Sequence, residues 1–148
     1  MFSKSCEYAI RAVIYLCSEE QMGRIVKVQQ ISIAIDAPAF YTSKILQQLS
    51  KMDFIGSMKG PNGGFYIDKK HKNITLIDIV NAIDGDKIFN GCGLGLKECS
   101  EKKPCPIHLR FKIIRAMIKK MLETTTIEQL GSKNLYLNNK RLKKYLNI

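Results

Sequence analysis

The chain has 148 residues, 45% of them hydrophobic and with no apolar run of transmembrane length, which predicts a globular protein rather than a membrane protein. Lysine and arginine number 24 against 13 acidic residues, so the formal net charge is +11, as is typical of proteins that bind phosphates. Glu7 and Tyr8 come too early for a secretory signal, and five cysteines cannot all pair; we therefore expect a cytoplasmic protein with free thiols.

The first third of the chain predicts a helix-turn-helix. Residues 3–18 form an amphipathic pattern that Ser3 can cap. A second, short helix is predicted over 28–35, and Asp36-Ala37-Pro38 ends it and opens a third helix at once. Two short helices joined in this way are typical of DNA-binding proteins. The inward side of the first helix is predicted to hold Tyr8, Ala9, Ala12, Val13, Leu16 and Cys17.

The third predicted helix, residues 38–52, has an apolar and a polar face. The spacing predicts that Tyr41, Ile45, Leu49 and Met52 face the core. The other face carries Thr42, Ser43, Lys44 and Gln47, whose side chains form hydrogen bonds. By itself such a face is as typical of a solvated surface as of a binding surface.

A β-hairpin is predicted directly after this helix, with strands at 54–59 and 64–67. Asn62-Gly63 in the intervening segment is a strong hairpin signal. Three helices followed by a hairpin predict a winged helix-turn-helix, in which the third helix enters the major groove and the hairpin reaches the DNA backbone. Lys59 at the hairpin shoulder suits that contact, although a lysine there also protects a strand edge. The candidate DNA contacts are Tyr41, Thr42, Ser43, Lys44, Gln47, Lys59, Asn62 and Gly63.

The second half of the chain predicts further helices. A charged connector, in which His71 is expected to be exposed, leads to a helix opened by the capping box Thr75–Asp78. A long helix is predicted over 106–124. Because it is so apolar and lies far in sequence from the compact N-terminal unit, packing against a second subunit is favoured. One face of this helix is predicted to carry Ile107, Phe111, Ile114, Ile118 and Met121 or Leu122, and Ile113 and Met117 widen that face.

The expected organisation has four parts. Residues 1–85 form the DNA-binding domain, 86–105 a cysteine-rich loop, 106–130 the dimerisation helix with one further helical turn, and 131–148 a solvated basic tail. The predicted fold class is therefore mainly α with a small β-hairpin wing, a winged helix-turn-helix plus a long C-terminal dimerisation helix.

The segment between residues 92 and 108 concentrates metal-binding side chains. Cys92, Cys99 and Cys105 occur there, followed at once by His108. Three thiolates and an imidazole suit zinc or an iron–sulfur cluster, and so dense a group favours metal binding over a polar loop with incidental cysteines. The chain has no Cys-x-x-Cys, so a thiol–disulfide enzyme is disfavoured and no catalytic residue is predicted.

Four stretches of the sequence together resemble the Rrf2 family of bacterial winged-helix regulators, with its IscR-like iron–sulfur and NsrR-like nitric-oxide-sensing branches. They are Glu7-Tyr-Ala-Ile-Arg-Ala12, Tyr41-Thr-Ser-Lys-Ile-Leu-Gln-Gln-Leu49, Lys59-Gly-Pro-Asn-Gly-Gly-Phe65 and Ile74-Thr-Leu-Ile-Asp-Ile-Val-Asn-Ala-Ile-Asp-Gly85. The similarity spans about residues 1 to 130. It implies a homodimer that binds double-stranded operator DNA.

The resemblance also implies a ligand set. Cys92, Cys99 and Cys105 match the three cluster cysteines of the family, and His108 matches the histidine that completes a [2Fe–2S] site. Glu7 of the other subunit is an alternative fourth ligand, where the family usually has aspartate. The expected cofactor is an iron–sulfur cluster, [2Fe–2S] rather than [4Fe–4S], with zinc as the alternative.

The function predicted from these features is DNA-binding transcriptional regulation, modulated by a cluster that senses iron, redox state or nitric oxide. Two alternatives are a regulator whose cysteines hold structural zinc and one controlled by a protein partner without a cluster. All three are non-enzymatic.

Overall fold

Three helices near the N-terminus pack around one another and form most of the core. The computed structural model describes residues 1–18 and 20–132. The three helices are α1, Lys4–Leu16; α2, Val28–Ala34; and α3, Ala39–Lys51. Ser3 caps α1 as predicted, because its side chain accepts a hydrogen bond from the Cys6 backbone N–H at 3.1 Å. The predicted inward side of α1 is confirmed, with Tyr8 half-buried and the rest buried: Ala9, Ala12, Val13, Leu16 and Cys17.

The turn between α2 and α3 is the short connection that the sequence predicts. Asp36 follows α2 with φ 49°, in the left-handed region that aspartate tolerates better than most residues. Pro38 is the N-cap of α3. The two helices are therefore joined by residues 35–38, which confirms the helix-turn-helix.

The core face of α3 differs from the predicted one. Ile45 and Leu49 are buried as expected, but Tyr41 is 56% and Met52 46% exposed, and Thr42 is buried instead. Thr42 can be buried because its hydroxyl donates to the Pro38 carbonyl oxygen at 3.0 Å. The predicted apolar stripe was wrong at both ends because the packing of α3 against α1 and α2 fixes the helix rotation.

The wing is a two-stranded antiparallel hairpin, β1, Gly56–Met58, and β2, Gly64–Tyr66. Its turn is closed by a hydrogen bond from the Gly63 N–H to the Gly60 carbonyl at 2.9 Å, so Pro61 and Asn62 are its central residues rather than Asn62 and Gly63. Gly64 is required by a close approach, since a Cβ there would lie 2.3 Å from the Val26 carbonyl oxygen. The hairpin that the sequence predicted is confirmed, with its turn centred one residue earlier.

The connector after the wing is ordered around a buried histidine. A short 3₁₀ helix, Lys69–His71, follows β2, and His71 is 1% exposed, so the prediction of an exposed side chain was wrong. Its Nδ1 lies 3.1 Å from the Asp68 N–H, which donates to it, and 3.0 Å from the Asp68 carboxylate. Burial lowers the pKa of His71 despite that carboxylate, so the ring is neutral in the native fold.

The buried His71 predicts a pH dependence of stability. Its native pKa lies below its unfolded value of about 6.5, so the unfolded chain binds a proton first as the pH falls. The urea midpoint of the metal-free protein is therefore expected to drop from pH 7 to pH 5. His71→Gln should reduce that drop, whereas His108→Gln should retain it. An equal drop in wild type and His71→Gln would contradict the assignment.

The C-terminal helices pack back onto the N-terminal core. They are α4, Leu76–Asp84; α5, Lys87–Asn90; α6, His108–Thr124; and α7, Ile127–Ser132. The predicted capping box is confirmed, since the Asp78 carboxylate accepts from both the Thr75 N–H and its hydroxyl. Leu122 and Ile127 are buried in the same core as α1. The end of α6 is therefore less remote from the compact unit than its position in the sequence suggested.

One helix and one helix boundary in this half of the chain differ from the prediction. α5 was not predicted, and α6 begins at His108 rather than at Pro106. The basic tail was predicted over 131–148; its first two residues, Gly131 and Ser132, belong to α7, and 133–148 lie outside the described residues. Across 1–18 and 20–132, the helices are too short or too polar to cross a membrane.

Candidate metal centre and nucleic-acid interface

The loop between α5 and α6 brings the three predicted cysteine ligands together. The Sγ atoms of Cys92, Cys99 and Cys105 all lie within 4.8 Å of one another, and all three residues are half-buried. The loop closes on itself through a turn in which the Gly95 N–H donates to the Cys92 carbonyl at 2.9 Å. Gly95 has φ 70°, a conformation that favours glycine. Three converging thiols form a site suited to zinc or iron.

The three thiols differ in acidity because their backbone surroundings differ. The Leu94 N–H donates to Cys92 Sγ at 3.4 Å, and together with the Leu96 N–H it lowers the pKa of Cys92 to about 7. The Cys105 backbone lowers the pKa of Cys99, but burial and the neighbouring thiols outweigh it and raise that pKa overall. Cys92 is therefore ready to bind a metal as a thiolate near neutral pH.

The two remaining cysteines belong to the core. Both are fully buried: Cys6 lies in α1, and Cys17 is the residue that ends it. Burial raises the pKa of each to about 12, helped at Cys6 by the Asp84 carboxylate. They are consequently thiols rather than thiolates at neutral pH, and the structure separates them from the metal-binding group.

His108 opens α6 beside the thiols. Its Nδ1 lies 3.2 Å from Cys99 Sγ, while its Nε2 is buried and has no hydrogen-bond partner among residues 1–18 and 20–132. The set of atoms that all lie within 4.8 Å of one another contains the three cysteines but not His108. The structure therefore places the histidine against one thiol, and a buried nitrogen without a partner fits a ligand role.

The cysteines line a cleft of about 190 Å³ whose far wall is α6. Phe111 lies against Gly93, where an added Cβ would be 2.9 Å from the ring. Arg115 donates to the Gly91 carbonyl and stacks over the Phe111 ring at 5.4 Å. Sequence reasoning did not assign these two residues to the site. Their spacing from His108, three and seven positions on a helix, is the signal that could have found them.

Glu7, the alternative fourth ligand, lies on the first turn of α1. Its carboxylate pairs with the Lys4 ammonium at 2.7 Å, which lowers the pKa of Glu7. The predicted role involves the cleft of another subunit, so it stays a prediction.

A groove of about 890 Å³ separates α3 from the wing. Of the predicted DNA contacts, Ser43, Gln47, Lys59 and Gly63 line it. Gln47 donates to the Ser43 hydroxyl at 3.2 Å, which fixes the two side chains as one hydrogen-bonding unit. Lys27, Gln29 and Lys51 also line the groove and were missed, because the sequence does not show which ends of α2 and α3 face the wing.

The other predicted DNA contacts lie elsewhere on this face. Thr42 is buried, so its predicted contact with bases is corrected: its hydroxyl is already bonded to Pro38. Tyr41 and Asn62 are exposed. The Lys44 ammonium lies over the exposed ring of Phe40, 4.3 Å from its centre, so the aromatic ring orients this cation.

An exposed apolar stripe runs along the outer side of α6. It comprises Leu109, Ile113, Ile114, Met117 and Met121, which are between 51% and 73% exposed. The opposite side of the helix packs on the core through Ile118 and Leu122, and Phe111 on that side is half-buried against the cysteine loop. The sequence placed both sets, apart from Leu109, on one wide face. The structure divides them into a packed side and an exposed side.

These features define a winged helix-turn-helix protein with a three-cysteine cleft. The family model described as "Rrf2: Iron-dependent Transcriptional regulator" matches residues 2–133. The chain belongs to the Rrf2 family, and it is accordingly a DNA-binding transcriptional regulator rather than an enzyme. The predicted family and fold class are confirmed.

Relatives and solved structures agree with this assignment. A protein of Aquifex aeolicus (strain VF5), named as an HTH-type transcriptional regulator, is 32% identical over 132 residues, covering 88% of this chain and 90% of the relative. The structure of CymR, the global cysteine regulator of B. subtilis, has a TM-score of 0.69 at 21% identity, covering 89% of this chain and 96% of that one. T. potens IscR has a TM-score of 0.63 at 17% identity, covering 88% and 85%.

Proposed function

We propose that the protein is a homodimeric transcriptional regulator whose affinity for operator DNA is set by an iron–sulfur cluster held by Cys92, Cys99 and Cys105. The convergence of these three thiols within 4.8 Å carries the proposal. The family description, which names iron, favours a cluster over zinc. When bound, a cluster would supply iron that oxidants, nitric oxide or iron shortage can remove.

His108 is proposed as the fourth ligand. It projects from the start of α6 against Cys99, whereas Glu7 is held by Lys4 on the same helix turn. Three thiolates with one imidazole favour [2Fe–2S] over [4Fe–4S] in this proposal. An exogenous thiol or the partner's carboxylate would be needed only if His108 does not bind.

Anaerobic purification tests the cofactor directly. A visible absorption spectrum, with about two iron and two sulfide ions per chain, is the expected result for [2Fe–2S]. A colourless protein that contains one zinc ion per chain would favour structural zinc instead. A protein with neither metal would leave a regulator controlled by a partner, and would contradict the proposal.

The exposed stripe on α6 is the proposed dimer interface. Five large apolar side chains are exposed along one helix, which is more than an isolated soluble surface usually shows. A two-fold partner that packs on this stripe would bury it and present two α3 helices to paired half-sites. Because His108 starts the same helix, the cysteine site and the proposed interface share one element.

The described contacts also connect the cleft with the DNA-binding face. α6 packs on α4, and the Gln48 side chain of α3 donates to the Ala82 carbonyl near the end of α4 at 2.8 Å. Ordering of the loop against α6 would therefore bias the position of α3, and through the dimer the spacing of the two recognition helices.

The wing lysine gives a prediction for DNA binding. Lys59→Ala is expected to weaken binding and to lower the slope of log K against log salt by about one, since one phosphate contact is lost. Fluorescence anisotropy on DNA selected from a random library measures both quantities. Lys87→Ala, an exposed lysine outside the groove, is the matched control. Unchanged affinity and slope in Lys59→Ala would remove the wing from the interface.

A further inference from the structure

We propose that Arg115 is a positioning residue for the cysteine site: it fixes the residue before Cys92 to the helix that carries His108. The inference rests on the proposed metal site and goes beyond its ligands. Three observations support it: two concern the glycines that flank Cys92, and the third concerns the side of α6 that faces them.

The first observation is the hydrogen bond of Arg115 itself. Its Nη1 donates to the carbonyl oxygen of Gly91, which is the C-cap of α5 and directly precedes Cys92. Carbonyl groups at a helix C-terminus have no partner within the helix, so a guanidinium is well suited to bind one. This bond joins residue 91 to α6 across the cleft.

The second observation is the packing on the other side of Cys92. A Cβ on Gly93 would lie 2.9 Å from the Phe111 ring, so the backbone and the ring are in direct contact. Arg115 stacks on the same ring. Both neighbours of Cys92 therefore contact α6, Gly91 through Arg115 and Gly93 through Phe111.

The third observation is the helix geometry. His108, Phe111 and Arg115 recur at intervals of three and four residues, so they lie on one side of α6. Ligand, ring and guanidinium thus form a single row that faces the loop, and all three line the cleft. Arg115 Nε is also buried there and has no hydrogen-bond partner in the described part of the chain.

This row explains how a glycine-rich loop can hold its first thiol beside the others. A ligand on a free loop loses conformational entropy when the metal binds, and a prior constraint reduces that loss. Residues outside the ligand shell typically change metal affinity 10- to 100-fold. Arg115 is expected to act in this way through Gly91 rather than as a ligand.

Titration of the reduced, metal-free full-length chain with Co²⁺ tests the proposal. The thiolate-to-cobalt charge-transfer band reports binding by the cysteines. Arg115→Gln is expected to raise the cobalt dissociation constant about tenfold. Arg115→Lys should raise it similarly, because lysine keeps the charge but not the fork that binds Gly91 and stacks on Phe111. The circular dichroism and urea midpoint of the metal-free variants should match wild type.

Lys119→Gln is the matched control, since Lys119 lies on the same helix but does not line the cleft and pairs with Glu123 of α6. Its cobalt affinity should equal that of wild type. Gly93→Ala should weaken cobalt binding through its clash with Phe111, and the added change Phe111→Leu should restore part of the affinity. The single and the double variant test the contact between Gly93 and Phe111 even where Arg115→Gln does not fold.

The outcomes separate this inference from the proposed function. Wild-type protein without a charge-transfer band overturns the metal site and the role of Arg115 together. Wild-type binding with an Arg115→Gln affinity within twofold of it overturns only the positioning role. A loss that is equal in Lys119→Gln assigns the effect to the positive charge of α6 and likewise overturns the positioning role.

Discussion

Replacement of Cys105 by alanine is expected to reduce the iron content of the anaerobically purified protein at least tenfold. Cys105 supplies one of three thiols that lie within 4.8 Å of one another, and its loss leaves two thiols and His108, one ligand short of the four that hold a cluster. Iron and sulfide analysis together with the visible spectrum measures the loss. DNA binding by this variant should equal that of wild type from which the metal has been removed.

The core cysteines provide the matched control for this substitution. Cys6→Ala and Cys17→Ala each remove a thiol whose pKa burial has raised to about 12, so iron content should stay at the wild-type level. Their expected effect is a loss of about 1 kcal/mol in the free energy of unfolding. Full iron content in Cys105→Ala would contradict the proposed site, and loss of iron in Cys17→Ala would show that the measurement reports folding.

Replacement of Met117 by glutamate is expected to separate the proposed dimer into monomers. Met117 is 67% exposed in the middle of the outer stripe of α6, so the charge costs nothing in the single chain but is buried on association. In a two-fold interface it also meets its own copy or its neighbours. A penalty of about 3 kcal/mol raises the dimer dissociation constant about a hundredfold.

Sedimentation velocity over a range of concentrations measures that change. Met117→Leu keeps the apolar surface and should retain the wild-type association, which separates the effect of charge from that of shape. Unchanged circular dichroism is expected in both variants, because the opposite side of α6 carries the packing through Leu122. A Met117→Glu protein that remains dimeric would place the interface elsewhere.

The elements that the sequence predicts correctly are those set by local chemistry. Two helix N-termini are capped by side chains close to them in sequence, Ser3 and the pair Thr75–Asp78. The turn from Asp36 to Pro38 ends one helix and begins the next within a few residues. The hairpin is signalled in the same way by Asn62-Gly63. The dense cysteine spacing likewise predicts that the three thiols converge, because side chains on one short loop lie close together.

The features that the sequence does not predict are those set by distant partners. Thr42 is buried because α3 turns it toward the core, where its hydroxyl still finds the Pro38 carbonyl. His71 is buried because Asp68 and the end of the wing surround it. A polar residue in a sequence pattern suggests exposure, and only the tertiary packing shows which polar groups are satisfied inside.

The site illustrates the same division. The sequence identified Cys92, Cys99, Cys105 and His108 as candidate ligands, and the structure brings the three thiols together with the imidazole against Cys99. The sequence could not identify Phe111 and Arg115 as part of the site, because their role depends on how α6 is rotated relative to the loop. In the sequence, Phe111 belongs to one broad apolar face. The structure divides that face into an outer stripe and an inner side, and Phe111 lies on the inner side at the cysteine cleft.

DNA affinity with and without the metal is the measurement that tests the central claim most directly. DNA would be selected from a random library by the anaerobically purified protein, and its binding measured by anisotropy at one salt concentration before and after removal of the metal with a chelator. We predict a change in affinity of at least tenfold, about 1.4 kcal/mol, which is typical of coupling between two sites. Equal affinity in the two states, with the iron shown to have been removed, would contradict a metal-controlled switch.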